Sequence, residues 1–471
     1  MKSRSVKLKT WLGSAMPVCC YNRSHSWNSR FILVARARPG DRKRGRRTTV
    51  AEADSKRRAV HVGGIATVLP PPAQRTGVSS EMWDEKMSGL KAIRISRCCV
   101  FEGGAALAAA ATIPVEQATK DEDRLVPSIP PSLVTRSNPV LIELTRGPVV
   151  ESVHTGALAL ARPTGELLLA LGDVGRPIFP RSAIKSLQCL PLIESGAADR
   201  FGFGDAEIAL ACASHTGTAR HVHVATGMLE RIGLTQGALA CGVHPPQSTA
   251  AQKQLAIAGT EPSALHNNCS GKHAGMLATA VHLGEPIDNY WRPDHPVQLR
   301  VRETLEDFTG CSLGAEVRGI DGCSAPNWAI PLAALARAFA CFVTGEGAGA
   351  KHRLSAQRIA EACWAKPKLV AGAGRLDTRV MRRWPGQAFT KTGAEGVYCG
   401  GLPDLGIGFA LKVDDGAGRA SEAVVLRLLE HLLPGAAELD QVRTLKNWRG
   451  LEVGERRASA TLTHALEMLR I

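Results

Sequence analysis

Hydrophobic residues recur at regular spacing only beyond a cluster of three prolines, Pro127, Pro130 and Pro131. Proline fixes φ and restricts the residue before it, so the chain enters the region that follows in an extended conformation. Upstream, basic clusters alternate with turn-prone stretches, and neither a helical nor a strand period is sustained. We therefore predict a disordered basic N-terminal segment over residues 1–130 and a globular domain over residues 131–471.

The positive charge of the chain belongs to that N-terminal segment. The formal net charge is +15, yet residues 1–130 hold 23 basic and 11 acidic side chains, whereas residues 131–471 hold 35 and 32. The first 50 residues carry 13 basic side chains and one acidic one. This composition is typical of a transit-like peptide, and a start codon assigned too far upstream would give a similar one. The Arg/Lys clusters at residues 42–47 and 56–58 contain no interleaved aromatic residue, so we expect no nucleic-acid partner.

Composition narrows the class further. The chain is 44% hydrophobic but has no run of about 18 uncharged apolar residues, so no membrane association is expected. Its 13 cysteines are odd in number and widely spaced, which is not the pattern of a disulfide framework, and no export signal precedes them. We therefore expect free thiols in a reducing compartment and a cytoplasmic protein.

The apolar pattern of the second region predicts an α+β fold, because strand-like stretches flank a helical middle. Strands are predicted within residues 139–172 and at 406–413. Helices are predicted at 219–232, 273–282, 298–307, 327–343 and 355–364, and a last amphipathic helix at 422–433 closes the domain.

The first chemical motif is Ser182 with Lys185, where a helix begins after Pro180. Residues three apart share one helix face, so the amine can reach the hydroxyl. A lysine held neutral can take the proton of a serine nucleophile. A helix start with a solvent-exposed lysine explains the same spacing.

Two further serine and lysine motifs follow along the chain. Ser214 enters a helix from a polar turn, as a capping residue or as a second active-site hydroxyl. Lys391, in Thr390-Lys391-Thr392-Gly393, is expected on a strand. A Lys-Thr-Gly that follows a Ser-x-x-Lys and a serine loop is the arrangement of serine β-lactamases and penicillin-binding proteins.

Two polar loops each carry a cysteine followed by a serine, at Cys269 and at Cys323. Structural cysteines prefer apolar cores, so these positions are unusual. If the two loops meet, their thiolates can bind zinc, although zinc normally takes four ligands. The alternative is two unrelated loop cysteines.

Together, the segments resemble the rhizobial-type L-asparaginases, a zinc-binding serine-lysine class of the asparaginase II family. The resemblance runs from about residue 132 to the C-terminus and rests on segments that match in order: Arg181-Ser182-x-x-Lys185, Ala213-Ser214-His215, Asn268-Cys269-Ser270-Gly271-Lys272-His273, Asp321-Gly322-Cys323 and Thr390-Lys391-Thr392-Gly393. It implies a fold similar to serine β-lactamases and glutaminases, and an asparaginase-like catalytic domain over residues 131–471. The implied reaction is hydrolysis of L-asparagine to L-aspartate and ammonia.

The resemblance also implies roles for individual residues. It implies two catalytic pairs, Ser182 with Lys185 and Ser214 with Lys391. It implies a zinc ion held by Cys269, Cys323 and Lys272, with water completing the shell. For the α-carboxylate of asparagine we expect Arg181 and His273, and for its α-ammonium Asp321. The expected assembly is a homodimer.

Two other functions are compatible with parts of this pattern. A β-lactamase or peptidase-like serine hydrolase shares the Ser-x-x-Lys and Lys-Thr-Gly motifs but has no use for the two cysteine loops. A catalytically silent binding module would retain the fold without the reaction. Turnover of a β-lactam and release of ammonia distinguish the three hypotheses.

Overall fold

A computed structural model describes residues 137–471. The predicted basic segment, residues 1–130, and the boundary near residue 131 lie outside the described residues. Ser137 is the first described residue, and the first strand begins shortly after it, at Val140.

Twelve strands and fourteen α-helices make up this part of the chain. The strands are β1 Val140–Arg146, β2 Val149–Ala161, β3 Leu167–Leu171, β4 Pro177–Ile178, β5 Arg318–Ile320, β6 Pro326–Trp328, β7 Ile330–Pro331, β8 Phe389–Thr392, β9 Val397–Leu402, β10 Ile407–Val413, β11 Thr444–Lys446 and β12 Glu452–Ala458. The helices are α1 Lys185–Gln188, α2 Leu190–Glu194, α3 Ala197–Arg200, α4 Asp205–Ala211, α5 Ala219–Arg231, α6 Thr249–Ala258, α7 Ser270–His282, α8 Pro296–Thr309, α9 Leu332–Thr344, α10 Arg353–Ala365, α11 Pro367–Val370, α12 Leu376–Arg383, α13 Gly418–Leu432 and α14 Ala460–Glu467.

The main sheet has eight strands and joins both ends of this region. Its order is β11-β12-β1-β2-β10-β9-β8, and β3 also pairs with β2. Every pairing in it is antiparallel. Strand β8 lies at one edge, so the strand that carries Lys391 has a sheet neighbour on one side only.

The two faces of the sheet pack against different cores, as the alternation of side chains along a strand requires. Along β2, Ala157 and Ala159 face the helical region, whereas Leu158 and Leu160 face a second core with α12, α13 and α14. Small residues on the first face let α9 approach closely. A Cβ on Gly408 would come within 2.2 Å of the α9 backbone, so only glycine fits there.

Helix α7 is the centre of the helical region. Its residues from Ser270 to Ala280 are all buried, because α2, α3, α4, α5 and α8 surround it. Gly271 allows this packing, since a Cβ there would lie 2.2 Å from the carbonyl oxygen of Leu210 in α4. The N-terminus of α7, which carries Cys269 and Lys272, is therefore fixed inside the protein.

The structure confirms the predicted α+β class and most of the predicted elements. The strands within 139–172 and at 406–413, and the helices at 219–232, 273–282, 298–307 and 355–364, are all present with shifts of a few residues at some ends. Within the described residues no helix combines the length and the apolar character that crossing a membrane requires.

Two predictions of secondary structure were wrong. The helix predicted at 327–343 begins only at Leu332, because Pro331 forces Ile330 into an extended conformation in which it pairs with Ile178. The helix at 422–433 does not close the domain, since β11, β12 and α14 follow it. Strand β12 was missed because its charged residues, such as Arg456 and Arg457, hide the apolar alternation of a strand.

Candidate active site

The segment around Ser182 begins with a strained residue. Arg181 has φ of 52°, in the left-handed region that non-glycine residues rarely adopt. A short 3-10 helix, Arg181–Ile184, follows and continues into α1 at Lys185. Backbone strain of this kind persists only where neighbours hold it, and here an ion pair of 2.6 Å joins Arg181 Nε to Asp321 Oδ1.

Lys185 connects three of the sequence motifs. Its side chain is 1% exposed. Its Nζ donates to the carbonyl oxygen of Ala213 at 2.6 Å, to the hydroxyl of Ser214 at 3.0 Å and to the carbonyl oxygen of Asn268 at 3.2 Å. The amine therefore uses all three N–H donors of an ammonium group, and it binds the serine loop to the cysteine loop.

The serine-lysine pairing differs from the one that the resemblance implies. The hydrogen bond from Lys185 goes to Ser214, and within residues 137–471 the half-buried hydroxyl of Ser182 makes no hydrogen bond. Ser182 lies one turn before Lys185 on the same short helix, and the backbone N–H of Lys185 donates to its carbonyl oxygen. Both serines thus lie next to one lysine.

Lys391 is the second buried amine. It lies on edge strand β8, as its Lys-Thr-Gly motif predicts, and is fully buried. Its Nζ donates to the carbonyl oxygen of Thr392 at 2.9 Å. Burial lowers the pKa of Lys391 to about 8, and the positive charge of Lys185 acts in the same direction. An amine with this pKa exchanges protons near neutral pH.

The two cysteine loops meet. Cys269 and Cys323 are 4% and 3% exposed, and the interaction between their neighbouring sulfurs raises the pKa of Cys269 and lowers the pKa of Cys323 well below its ordinary value. Nζ of Lys272 donates to the Cys323 sulfur at 3.1 Å. Burial alone would lower the pKa of Lys272, but the negative charge on Cys323 raises it above the ordinary value.

A tight turn presents Cys323 to this cluster. The backbone N–H of Asp321 donates to the carbonyl oxygen of Ala325, and that of Ser324, at φ 73°, donates to the carbonyl oxygen of Asp321. The thiol of Cys323 lies 3.5 Å from Oδ2 of Asp321, whose other oxygen binds Arg181. One carboxylate therefore links the cysteine cluster to the strained turn before Ser182.

His273 supports the cluster from inside the protein. It is fully buried, and its Nδ1 lies 2.6 Å from the hydroxyl of Tyr290. The oxygen of Tyr290 accepts from the N–H of Ala240, so its hydrogen is available to Nδ1, which leaves a hydrogen on Nε2. That Nε2 faces Cys323 without a hydrogen bond of good geometry. The expected contact of His273 with a substrate carboxylate stays a prediction.

Sequence reasoning missed Tyr290, Asp377 and Tyr398. All three are 1% exposed. Tyr290 contacts His273, Asp377 contacts the residue after Lys391, and Tyr398 donates to Asp377. Asp377 looks like an ordinary acidic residue in the first turn of α12, and a tyrosine in an apolar stretch looks like core. No local signal distinguishes these residues from structural ones.

The cysteine cluster fits a zinc ion in its chemistry. The two sulfurs lie next to each other and the Lys272 amine contacts that of Cys323, and thiolates select zinc over hard cations. The unpartnered Nε2 of His273 beside Cys323 shows that the polar groups of the cluster are incompletely satisfied. Within the described residues no group of three His, Cys, Asp or Glu side chains has the arrangement of a metal site.

The family of the chain follows from a match over residues 142–458 to the model of the L-asparaginase II family. This match covers more than half of the chain and includes every motif described above. The chain belongs to the L-asparaginase II family. No curated protein matches the chain significantly.

Solved structures that match part of the chain share little sequence with it, and the chain spans less than two thirds of the length of the first two. A structure of Mglu in its native form has 14% identical residues and a TM-score of 0.34, over 59% of this chain and 64% of that one. A second Mglu structure, in 4.3 M NaCl, has 18% identity and a TM-score of 0.33, over 59% and 61%. A β-lactamase from Mycobacterium bovis has 14% identity and a TM-score of 0.28, over 60% and 93%.

Proposed function

We propose that the protein hydrolyses L-asparagine to L-aspartate and ammonia, with Ser182 as the nucleophile. The observation that supports this most is the position of Lys185. One buried amine contacts the Ser214 loop and the Asn268-Cys269 loop while lying one turn after Ser182. Family membership supports amide hydrolysis as the class of reaction, and the position of Lys185 supports the choice of reacting groups.

In the first half-reaction the Ser182 hydroxyl attacks the side-chain amide carbon of asparagine, and its proton passes to the amine of Lys185. Lys185 reaches its neutral form by passing a proton through the Ser214 hydroxyl to neutral Lys391, whose lowered pKa makes that form available. When the C–N bond breaks, Lys185 returns a proton to the nitrogen and ammonia leaves. An aspartyl ester on Ser182 remains.

In the second half-reaction water attacks the ester carbonyl carbon and loses a proton to Lys185. The bond between the carbon and Ser182 breaks, and the serine oxygen takes that proton back. The product leaves as the acid and gives its proton to the solvent to become aspartate. The proton held on Lys391 returns through the Ser214 hydroxyl to Lys185, so the lysine and serine groups are again in their starting protonation states.

The ion pair next to Ser182 offers both charges that the α-groups of an amino acid need. Arg181 is 30% exposed in its side chain and Asp321 12%, so solvent reaches both. The guanidinium suits the α-carboxylate and the carboxylate suits the α-ammonium. Because the two residues already bind each other, the substrate inserts into an existing pair of opposite charges.

For the metal we propose the ligands that the sequence suggested, Cys269, Cys323 and Lys272, with water completing the shell. When bound, zinc would supply a positive charge that orients the substrate. We also propose that the protein is of the rhizobial type, that it is cytoplasmic and that it forms a homodimer.

The activity is tested by following ammonia release from L-asparagine, with L-glutamine and nitrocefin as comparison substrates. We expect ammonia from L-asparagine at a rate well above that from L-glutamine, and no turnover of nitrocefin. Nitrocefin hydrolysis without ammonia release from either amide would instead favour a β-lactamase-like enzyme. The absence of all three activities would favour a binding module.

The metal is tested by elemental analysis of protein purified without chelator. We expect about one zinc per chain, and loss of that zinc in both Cys269→Ser and Cys323→Ser, because each variant removes one of three ligands. Cys363→Ser is the matched control, since Cys363 is equally buried but lies in α10. Full zinc in both loop variants would contradict the proposed ligand set.

A further inference from the structure

A buried carboxylate lies behind the Lys-Thr-Gly strand. Asp377 is 1% exposed and sits in the first turn of α12. Its Oδ2 accepts the backbone N–H of Thr392 at 3.2 Å, and its Oδ1 accepts the hydroxyl hydrogen of Tyr398. The proposed reaction steps make no use of this residue.

The two hydrogen-bond partners of Asp377 lie opposite each other on neighbouring strands. Thr392 of β8 pairs directly with Tyr398 of β9, so one carboxylate holds the end of both strands. Because β8 is an edge strand, its outward N–H groups have no strand partner, and Asp377 supplies an acceptor in place of one. The residue that this contact fixes immediately follows Lys391.

The charge of Asp377 also acts on Lys391. Four charged or titratable groups act on its buried amine: Asp377 and Arg375 at the start of α12, Lys185 on α1 and Cys269 before α7. The carboxylate of Asp377 favours the protonated amine, whereas burial and the positive charge of Arg375 favour the neutral one. Tyr398 stays a hydrogen donor to the carboxylate, because burial and then the Asp377 charge raise the pKa of its hydroxyl.

We propose that Asp377 is a positioning residue that fixes the end of β8 directly after Lys391 and supplies the buried negative charge beside which the amine gains and loses its proton. This inference rests on the proposed function, in which Lys391 exchanges protons during turnover. It assigns to Asp377 an effect on the pH dependence of the reaction that a purely structural residue would lack.

The first test compares the pH dependence of kcat in wild-type protein and in Asp377→Asn. If neutral Lys391 is required, kcat rises with pH through the Lys391 pKa, near 8. Removing the negative charge lowers that pKa further, so the rising limb moves to lower pH, by about one unit or more. A limb that stays in place in a folded Asp377→Asn protein would overturn the proposal.

Two matched variants separate charge from packing. Tyr398→Phe removes one hydrogen bond to the carboxylate but keeps its charge, so the limb stays near the wild-type position. Arg375→Gln removes the positive charge that lowers the Lys391 pKa, so the limb moves to higher pH. Arg375 forms no ion pair within residues 137–471 and is partly exposed, so this variant is expected to fold. A limb insensitive to Arg375→Gln would show that it does not report Lys391.

A second measurement does not depend on turnover. In protein labelled with 13C at lysine Cε, NMR titration gives the pKa of Lys391 directly, with the signal assigned through Lys391→Met. The value should fall in Asp377→Asn and rise in Arg375→Gln, whether or not asparagine is the substrate. If wild-type protein releases no ammonia, the proposed function fails. If the Lys391 pKa is the same in wild type and Asp377→Asn, the inference fails.

Discussion

Ser182→Ala is expected to lower kcat for asparagine hydrolysis by about three orders of magnitude or more, since removal of a nucleophile has effects of this size or larger in other hydrolases. The folded state should be unaffected. Within residues 137–471 the Ser182 hydroxyl makes no hydrogen bond and the residue is only half-buried, so alanine removes no hydrogen bond and leaves no buried polar group without a partner. Thermal unfolding and ammonia release, measured on the same preparation, test both expectations.

Ser186→Ala is the matched control for this experiment. Ser186 lies one residue after Lys185, and its buried hydroxyl has no hydrogen-bond partner, so alanine should leave kcat near the wild-type value. Ser214→Ala distinguishes the two candidate nucleophiles, because Ser214 is the serine that Lys185 contacts. An active Ser182→Ala protein together with an inactive Ser214→Ala protein would assign the nucleophile to Ser214.

The helices and strands that the sequence predicted are those with a clear apolar period. Helix α5 and strand β10 are examples, because each buries a face that repeats at its own spacing. The pattern fails where tertiary pairing decides the conformation. Ile330 is extended because it pairs with Ile178, a residue far earlier in the chain, and no local pattern contains that partner.

The meeting of the two cysteine loops shows both the strength and the limit of motif reasoning. The spacing of the loops left open whether Cys269 and Cys323 meet, the family resemblance implied that they do, and in the structure they lie together. The order of the motifs did not predict that Lys185 would bind Ser214, because this hydrogen bond depends on how the segment between α4 and α5 packs against α1. Spacing identifies residues that share an element, whereas contacts between elements follow from packing.

The residues that no motif identified are those whose role is indirect. Tyr290 and Asp377 do not carry chemistry in a recognisable spacing, yet each fixes a residue next to a reacting group. Their burial with hydrogen-bond partners is a property of the fold, since an unpartnered buried polar group is costly. Such residues become visible only when the partner atoms are known.

The last prediction concerns Lys185 itself. Lys185→Met keeps the length of the side chain but removes three hydrogen-bond donors from a fully buried position. The carbonyl oxygens of Ala213 and Asn268 then lose a partner, at a cost of about 1 to 3 kcal/mol for each unsatisfied group. We therefore expect a fall in the unfolding temperature of several degrees, and a loss of kcat of about three orders of magnitude or more, because the proton acceptor is gone.

A double variant separates the catalytic loss from the structural one. If Ser182 and Lys185 act as one unit, Ser182→Ala combined with Lys185→Met should be no slower than either single variant, because effects within such a unit are not additive. The fall in unfolding temperature should be that of Lys185→Met alone, since Ser182→Ala removes no hydrogen bond. Additive losses of kcat would show that the two residues act independently, and a Lys185→Met protein with the wild-type rate would exclude Lys185 from the proton path.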